Sequence, residues 1–333
     1  MTRLCYLAAT CTTLTGPSSI RILDREHRPL QSGEVRVRVR AAGLNFPDLL
    51  MTQGKYQFRP DPPFVPGLEA AGEVLEVAHD VASAAPGDRV MVGGKGGALA
   101  EQWIVPESAV SPLPPALSFV EGACWQTAAS TAWHALVERA HLQPGEAVLV
   151  LGASGGVGMA AVQMAKHLGA KVIGTGSSGQ KRQAIVDAGA DHVLDPADPE
   201  LAAKVKALTD GAGADVIFDP VGGELALTAT RAIAWSGRYL IVGFASGVIP
   251  SFPANHTLIK TYSLIGVRAG ESPRRDPQLA RRQTRALREL AAQGVMRPHV
   301  SHRFSLQETA QALAVLERRE AIGRVVVEPA ETD

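Results

Sequence analysis

The 333-residue sequence has no apolar run of the length, about 18 residues, that a membrane-crossing helix needs. Its first stretch, "MTRLCYLAATCTTLTGPSS", has one early Arg3 and a short, threonine-interrupted apolar run, so no secretory leader is expected. Cysteine is scarce. Cys5, Cys11 and Cys124 are odd in number and form no CxxC, which argues against a disulfide scaffold and a structural zinc lobe. Net charge is absent too: 33 basic residues balance 33 acidic ones. That speaks against a general nucleic-acid surface and against a polybasic membrane anchor. There are no internal repeats and no low-complexity segments. What is present is ordinary globular material, 46% hydrophobic and 20% charged. At about 100–200 residues per domain, it suffices for two buried cores. A soluble cytoplasmic protein is expected.

The first third reads as β-rich. Val and Arg alternate from Val35 to Arg40, the pattern of a strand with one wet face. "EAAGEVLEVA" and "GDRVMV" continue it, separated by turn signals such as "APGD" and "GGKGG". A compact, barrel-like β domain is expected. The texture changes near Ser118, where "SFVEGACWQTAASTAWHALVERA" looks helical. From "AVLVLG" onward, apolar strands alternate with helices through "YSLIGV", which implies a parallel doubly wound sheet. After Arg268 come a helix ended by Gly294 and then a strand, helix and strand. In this tail Ser305 and Glu308 have capping-box spacing, and the last residues, "AETD", are expected to fray.

The stretch "VLVLGASGGVGMAAVQMAKHLGA" carries the first functional signal. Ala153, Gly155 and Gly158 fall on the G-x-G-x-x-G template, after a strand and before a helix. Small residues permit the tight turn, Gly155 allows close approach of a pyrophosphate, and Gly158 allows the helix to pack on the strand. Ser154, Gly155, Gly156, Val157 and Gly158 are therefore candidate phosphate contacts at a helix N-terminus. The second strand ends in Gly176, where an NAD-binding unit usually keeps an acid for the ribose 2′-OH. Ser177, Ser178, Lys181 and Arg182 follow, with no acid before Asp187. Hydroxyls and a cation suit a 2′-phosphate, so NADPH is favoured over NADH. The alternative for Lys181 and Arg182 is a solvated helix start.

"AAGLNFPDLLMTQGKY", "PFVPGLEAAGEV", "PGDRV", "LVLGASGGVG", "FDPVGG" and "GRVVV" occur in an order that covers nearly the whole chain. Together they resemble the zinc-free quinone oxidoreductase branch of the medium-chain dehydrogenase/reductases, the zeta-crystallin-like enzymes. The resemblance implies an α/β protein with three parts. These are a GroES-like β-rich catalytic domain over 1–125, a Rossmann NADPH-binding domain over 126–258, and a tail over 259–333 that adds the last sheet strand and returns to the catalytic domain. By position, the Cys, His and Cys that hold zinc in metal-dependent relatives correspond here to Asn45, Leu68 and a site near Thr127. None of these suits zinc. Glu69 and Asp48 remain, and they read as structural partners.

The implied reaction is metal-free hydride transfer from NADPH to a quinone, with enones, enals or enoyl-CoA as alternative acceptors. A non-catalytic NADPH-binding protein is the alternative of another class. The resemblance places Asn45 and Tyr56 at the acceptor. Asn45 is expected to donate its amide to a carbonyl oxygen, and Tyr56 is either a proton donor or a packing residue. It also implies cofactor contacts from Thr131, from Arg324, and from Val242, Gly243 and Phe244, whose backbone groups at a strand's carboxyl end suit a nicotinamide carboxamide. Arg324 reaches the phosphates or is a charge on an edge strand. Arg268 and the arginines of "PQLARRQTRALRELAAQG" either meet an anionic substrate or are solvated. A homodimer paired through "YSLIGV" is expected.

Overall fold

The computed structural model describes residues 5–329, so the end expected to fray lies outside them. The chain forms two compact units. One runs to Thr127 and resumes at Pro298, and the other is Ala128–Arg297. In chain order the first unit has β1 (Cys5–Cys11), β2 (Ile20–Glu26), β3 (Glu34–Leu44), β4 (Glu69–Val77), β5 (Arg89–Gly93), β6 (Gln102–Pro106) and β7 (Val110–Pro112). The second has β8 (Ala147–Val150), β9 (Lys171–Thr175), β10 (His192–Leu194), β11 (Ala214–Asp219), β12 (Ile233–Ile241) and β13 (Ser263–Gly266). β14 (Val300–Ser305) and β15 (Arg324–Glu328) belong to the first unit again.

β3 organises the first unit. It lies between β15 and β4, with β6 paired along its first half, and all these pairings are antiparallel. Val35, Val37 and Val39 are buried in one core with Leu99, Trp103, Val325 and Val327. Full burial of each such side chain stabilises the fold by about 1.5–3 kcal/mol. The alternate face is not simply wet, however. Arg36 is buried, its guanidinium donating to Glu76 and to the carbonyl of Arg28. The reason is that β3 is interior to its sheet, so neighbouring strands cover what an exposed strand would leave to water. The capping box at Ser305 forms as its spacing predicts, with Ser305 N–H donating to Glu308 at 2.9 Å. It starts the segment whose Ala312, Leu313 and Val315 pack on the same core.

In the second unit all strand pairs are parallel, in the order β10-β9-β8-β11-β12-β13. Numbered within this unit, that is 3-2-1-4-5-6, the doubly wound order in which propagation reverses between β8 and β11. Val148, Leu149 and Val150 of β8 are fully buried, as a strand covered on both faces must be. The helical stretch after Ser118 is not one helix. It divides into Phe119–Ala123, Gln126–Trp133 and a π-helical turn, His134–Arg139. The helix Pro277–Ala292 falls within the second unit.

Candidate functional site

β8 ends at Val150 and the helix Gly156–His167 begins six residues later. Gly152 takes the left-handed conformation, φ +56°, and its carbonyl accepts the N–H of Gly155 at 3.0 Å, which closes the turn. Thr175 at the end of β9 accepts the N–H of Gly152 at 3.1 Å, a buried contribution that motif reading missed. A Cβ on Gly158 would lie 2.2 Å from the Gly152 carbonyl oxygen, so glycine is what lets the helix press onto the turn. At Gly155 a Cβ would meet nothing nearer than 3.5 Å. This side is open. Gly155 caps the helix without any side-chain hydrogen bond, and the first amides of a helix have no partner within it. Ser154, Gly155, Gly156 and Val157 are only partly buried. A pyrophosphate fits such a turn, through uncapped amides at the positive end of the helix dipole.

At the end of β9, Gly176 is buried. A Cβ there would lie 2.8 Å from Ile185 Cδ1 and 3.1 Å from Arg182 Cγ. Packing of the helix Gly179–Asp187 is thus a second reason for the missing acid. Ser177 is exposed, Ser178 caps that helix by accepting the N–H of Lys181, and Lys181 is partly exposed. Arg182 turns back, donating to the Gly176 carbonyl at 3.1 Å and pairing with Asp195 at 3.2 Å.

Val242, Gly243 and Phe244 follow β12 and are partly exposed. The N–H groups of Val242 and Gly243 both donate to the Asp219 carbonyl, at 2.9 and 3.3 Å. Val242 and Gly243 thus have their N–H groups engaged by Asp219. Thr131 lies partly buried in Gln126–Trp133, just before the π-helical turn. Arg268 is exposed, and in Pro277–Ala292 Arg282 pairs with Glu138 and Arg285 with Glu289.

The first unit encloses a polar cluster. Asn45, Asp48, Glu69 and Arg324 are 4%, 0%, 1% and 4% exposed. Antiparallel pairing sets Val325 of β15 opposite Leu44 of β3, which brings Arg324 beside Asn45. Gly43 makes room, since a Cβ there would lie 2.1 Å from the Ala123 carbonyl oxygen and 3.1 Å from the Arg324 guanidinium. Arg324 donates to Asn45 Oδ1 at 2.8 Å and to Glu69 Oε1. Asn45 Nδ2 donates to Glu69 Oε1 at 2.9 Å and to the Gly43 carbonyl at 3.3 Å. Glu69 Oε2 accepts the N–H of Thr127 at 2.8 Å. Asp48 accepts the N–H groups of Asn45 and Gly67, at 2.8 and 3.1 Å, and so fixes the start of Phe46–Thr52. Burial, aided by the Glu69 charge, pushes its carboxyl up to about 7 against the two backbone donors. Burial also pushes the Cys124 thiol up to about 11.

Two expectations are corrected here. Asn45 has both amide hydrogens engaged by Glu69 and Gly43, so neither is aimed at an acceptor's carbonyl. Arg324 is not on an edge strand, and its guanidinium is engaged by Asn45 and Glu69. β15 is flanked by β14 and β3, and the guanidinium neutralises Glu69, because a desolvated carboxylate needs a cation. Asp48 is the structural partner read from the sequence, and what it ties is backbone. Tyr56 follows Phe46–Thr52 in a turn and is partly exposed, its carbonyl accepting from Arg59 at 3.1 Å. Among the described residues, no three His, Cys, Asp or Glu side chains gather as a metal set would.

Both units match family models: the alcohol dehydrogenase GroES-like domain over residues 31–115 and the zinc-binding dehydrogenase model over residues 156–285. The quinone oxidoreductase-like protein 2 homolog of Nematostella vectensis is 40% identical over 329 residues, 98% of this chain and 89% of that protein. A probable oxidoreductase from Mycobacterium abscessus superposes with TM-score 0.88 at 37% identity, covering 98% of this chain and 99% of the other. A mycobacterial protein solved with NADPH gives TM-score 0.89 at 29% identity, covering 97% of this chain and all of the other, 100%. The chain belongs to the quinone oxidoreductase branch of the medium-chain dehydrogenase/reductase superfamily. It is an oxidoreductase of the kind that uses a nicotinamide cofactor.

Proposed function

We propose that the protein reduces a quinone with NADPH and without a metal ion. The observation that carries this reading is the Asn45–Glu69–Arg324 cluster. The positions compared above with zinc ligands are Asn45, Leu68 and Thr127. Two of them bond Glu69, whose charge Arg324 already balances. The cofactor, when bound, supplies a hydride, and a quinone accepts one with little electrophilic help. The chain's own part is placement. The Gly152–Gly158 turn holds the pyrophosphate. Ser177 and Lys181, beside a Gly176 that brings no carboxylate, favour the 2′-phosphate of NADPH over the bare ribose of NADH.

Tyr56 favours a second reading, reduction of an activated double bond. That reaction needs a proton delivered to carbon, and the partly exposed Tyr56 is the donor we assign. We also propose a homodimer. β13 ends its sheet, and Leu264 on it is exposed, as are Trp235, Val248, Ile249, Leu258 and Ile259 elsewhere in this unit. An exposed edge with apolar neighbours is a template for a second copy. The low cysteine count supports assignment to the cytoplasm.

NADPH oxidation, followed with quinones, enals and enoyl-CoA esters side by side, tests the reading. Turnover with quinones that survives a zinc chelator is expected. No oxidation with any quinone, or loss of turnover on chelation, overturns it. Tyr56→Phe is expected to slow enone reduction while leaving quinone reduction intact.

A further inference from the structure

The motif "FDPVGG" has no role so far beyond resemblance. Its acid, Asp219, ends β11 and is 1% exposed; Tyr239 on the neighbouring β12 is fully buried. Asp219 Oδ1 accepts the N–H groups of Val221 and Gly222, at 2.7 and 2.9 Å. Oδ2 accepts the Tyr239 hydroxyl at 2.7 Å. The same residue's carbonyl accepts Val242 and Gly243, as described. Three further rungs continue from there: Ala245 N–H to the Pro220 carbonyl, Ser246 N–H to that of Val221, and Gly223 N–H to that of Val248. Segments 219–223 and 242–248 are thus zipped together beyond the carboxyl ends of their strands.

The two glycines of the motif close the contact. Gly222 has φ +70°, and a Cβ on it would lie 2.9 Å from the Val248 carbonyl oxygen and 3.0 Å from Phe244 Cδ1. A Cβ on Gly223 would lie 3.0 Å from Ser246 Oγ. No side chain fits between the segments. Asp219 joins the two segments where they leave their strands: its carboxylate holds Val221, Gly222 and Tyr239, and its main-chain carbonyl holds Val242 and Gly243. A carboxylate accepts three donors here and offers none, whereas an amide would turn its N–H₂ toward the Tyr239 hydroxyl or toward the turn. Burying a carboxylate is costly, and burial pushes this one up despite its three donors. A turn that only had to connect two strands needs no such group.

We propose that Asp219, anchored by Tyr239, is a positioning residue that presets the Val242–Phe244 backbone for the nicotinamide half of the cofactor. The inference rests on the NADPH reading of the site. The lock acts in the protein before cofactor arrives, so binding does not have to order the loop.

The test compares NADPH with 2′,5′-ADP, which carries the adenosine 2′-phosphate and no nicotinamide, by calorimetric titration of the wild type, Asp219→Asn and Tyr239→Phe. Tyr239→Phe keeps the carboxylate and the packing and serves where Asp219→Asn folds poorly. Both variants are expected to raise the NADPH Kd about tenfold while 2′,5′-ADP stays within about twofold. In the cofactor-free variants, amide exchange at 242–248 is expected to speed up. Equal loss of both ligands, or unchanged NADPH affinity in a variant with faster exchange or lower stability, overturns the proposal. If the wild type prefers NADH, the NADPH reading fails by itself, and the same comparison is made with NADH and ADP. If it binds neither dinucleotide, both fall.

Discussion

Arg324→Met isolates the Glu69 carboxylate. With both residues almost fully buried, the substitution leaves Glu69 the N–H groups of Asn45 and Thr127 but no cation, and it strips Asn45 Oδ1 of its donor. Breaking a buried pair by removing one partner costs about 3–5 kcal/mol, because the survivor is an uncompensated charge. For a unit of this size, a loss of that order lowers the melting midpoint by about 10 °C, at about 2–4 °C per kcal/mol. Glu69→Gln is expected to cost a similar amount, since it strands the guanidinium instead. The double variant Glu69→Gln/Arg324→Met removes both charges and is expected to recover much of the loss, with a coupling of about 2 kcal/mol or more between the sites. Arg324→Lys falls in between, since an ammonium lacks the planar fork that meets Asn45 and Glu69 together. Scanning calorimetry of the wild type and the four variants at one pH gives the midpoints. These are compared as shifts, because two units need not unfold in one step. A single-variant loss under about 1 kcal/mol, or a double variant as unstable as the sum of the singles, refutes the argument that the cation is there to neutralise Glu69.

Asp48 predicts a pH signature. Its folded carboxyl sits at about 7 against an ordinary 3.8, so the stability it contributes is full below the unfolded value and is lost as pH rises through the folded one. Relative to Asp48→Asn, the wild type is expected to gain stability between about pH 8 and about pH 5 in denaturant titrations; parallel curves exclude it. Lys181→Ala is expected to raise the NADPH Kd about tenfold and leave the NADH Kd alone, and equal effects on both refute the 2′-phosphate contact. Leu264→Lys, on the exposed β13 edge, is expected to yield monomers by light scattering; dimers that persist move the interface elsewhere.

What could be read from the sequence was local. The glycine turn is readable because Gly152, Gly155 and Gly158 act within seven residues, each through its own backbone. Asp48 is readable because a cap reaches three residues back to Asn45. The buried valines of β3 are readable from period two, but Arg36 is not, since its burial depends on which strands flank β3. The sequence leaves Arg324 between a phosphate and an edge strand because nothing near "GRVVV" announces a carboxylate 255 residues away. Asn45 misled for the same reason: its type suits a substrate carbonyl, and only the antiparallel register of β15 with β3 shows that Glu69 and Arg324 already engage it. Asp219 lies in "FDPVGG", which the sequence offers only as part of a resemblance. Its partner is on a different strand, and that strand's register lies outside any motif.

The position of Arg324 also bears on how the chain is made. Asn45 and its arginine are separated by 279 residues, and β15 is the last strand among the described residues. Until β15 has left the ribosome, β3 lacks one neighbour and Glu69 lacks its counter-charge. The second unit, by contrast, has every strand of its sheet by Gly266. Although domains generally fold from the N-terminus as they emerge, here the order is inverted: the unit that begins the chain finishes after the one that interrupts it. A translation product stopped short of Arg324 would carry a folded nucleotide sheet and an open, acid-bearing β unit, a natural target for quality control.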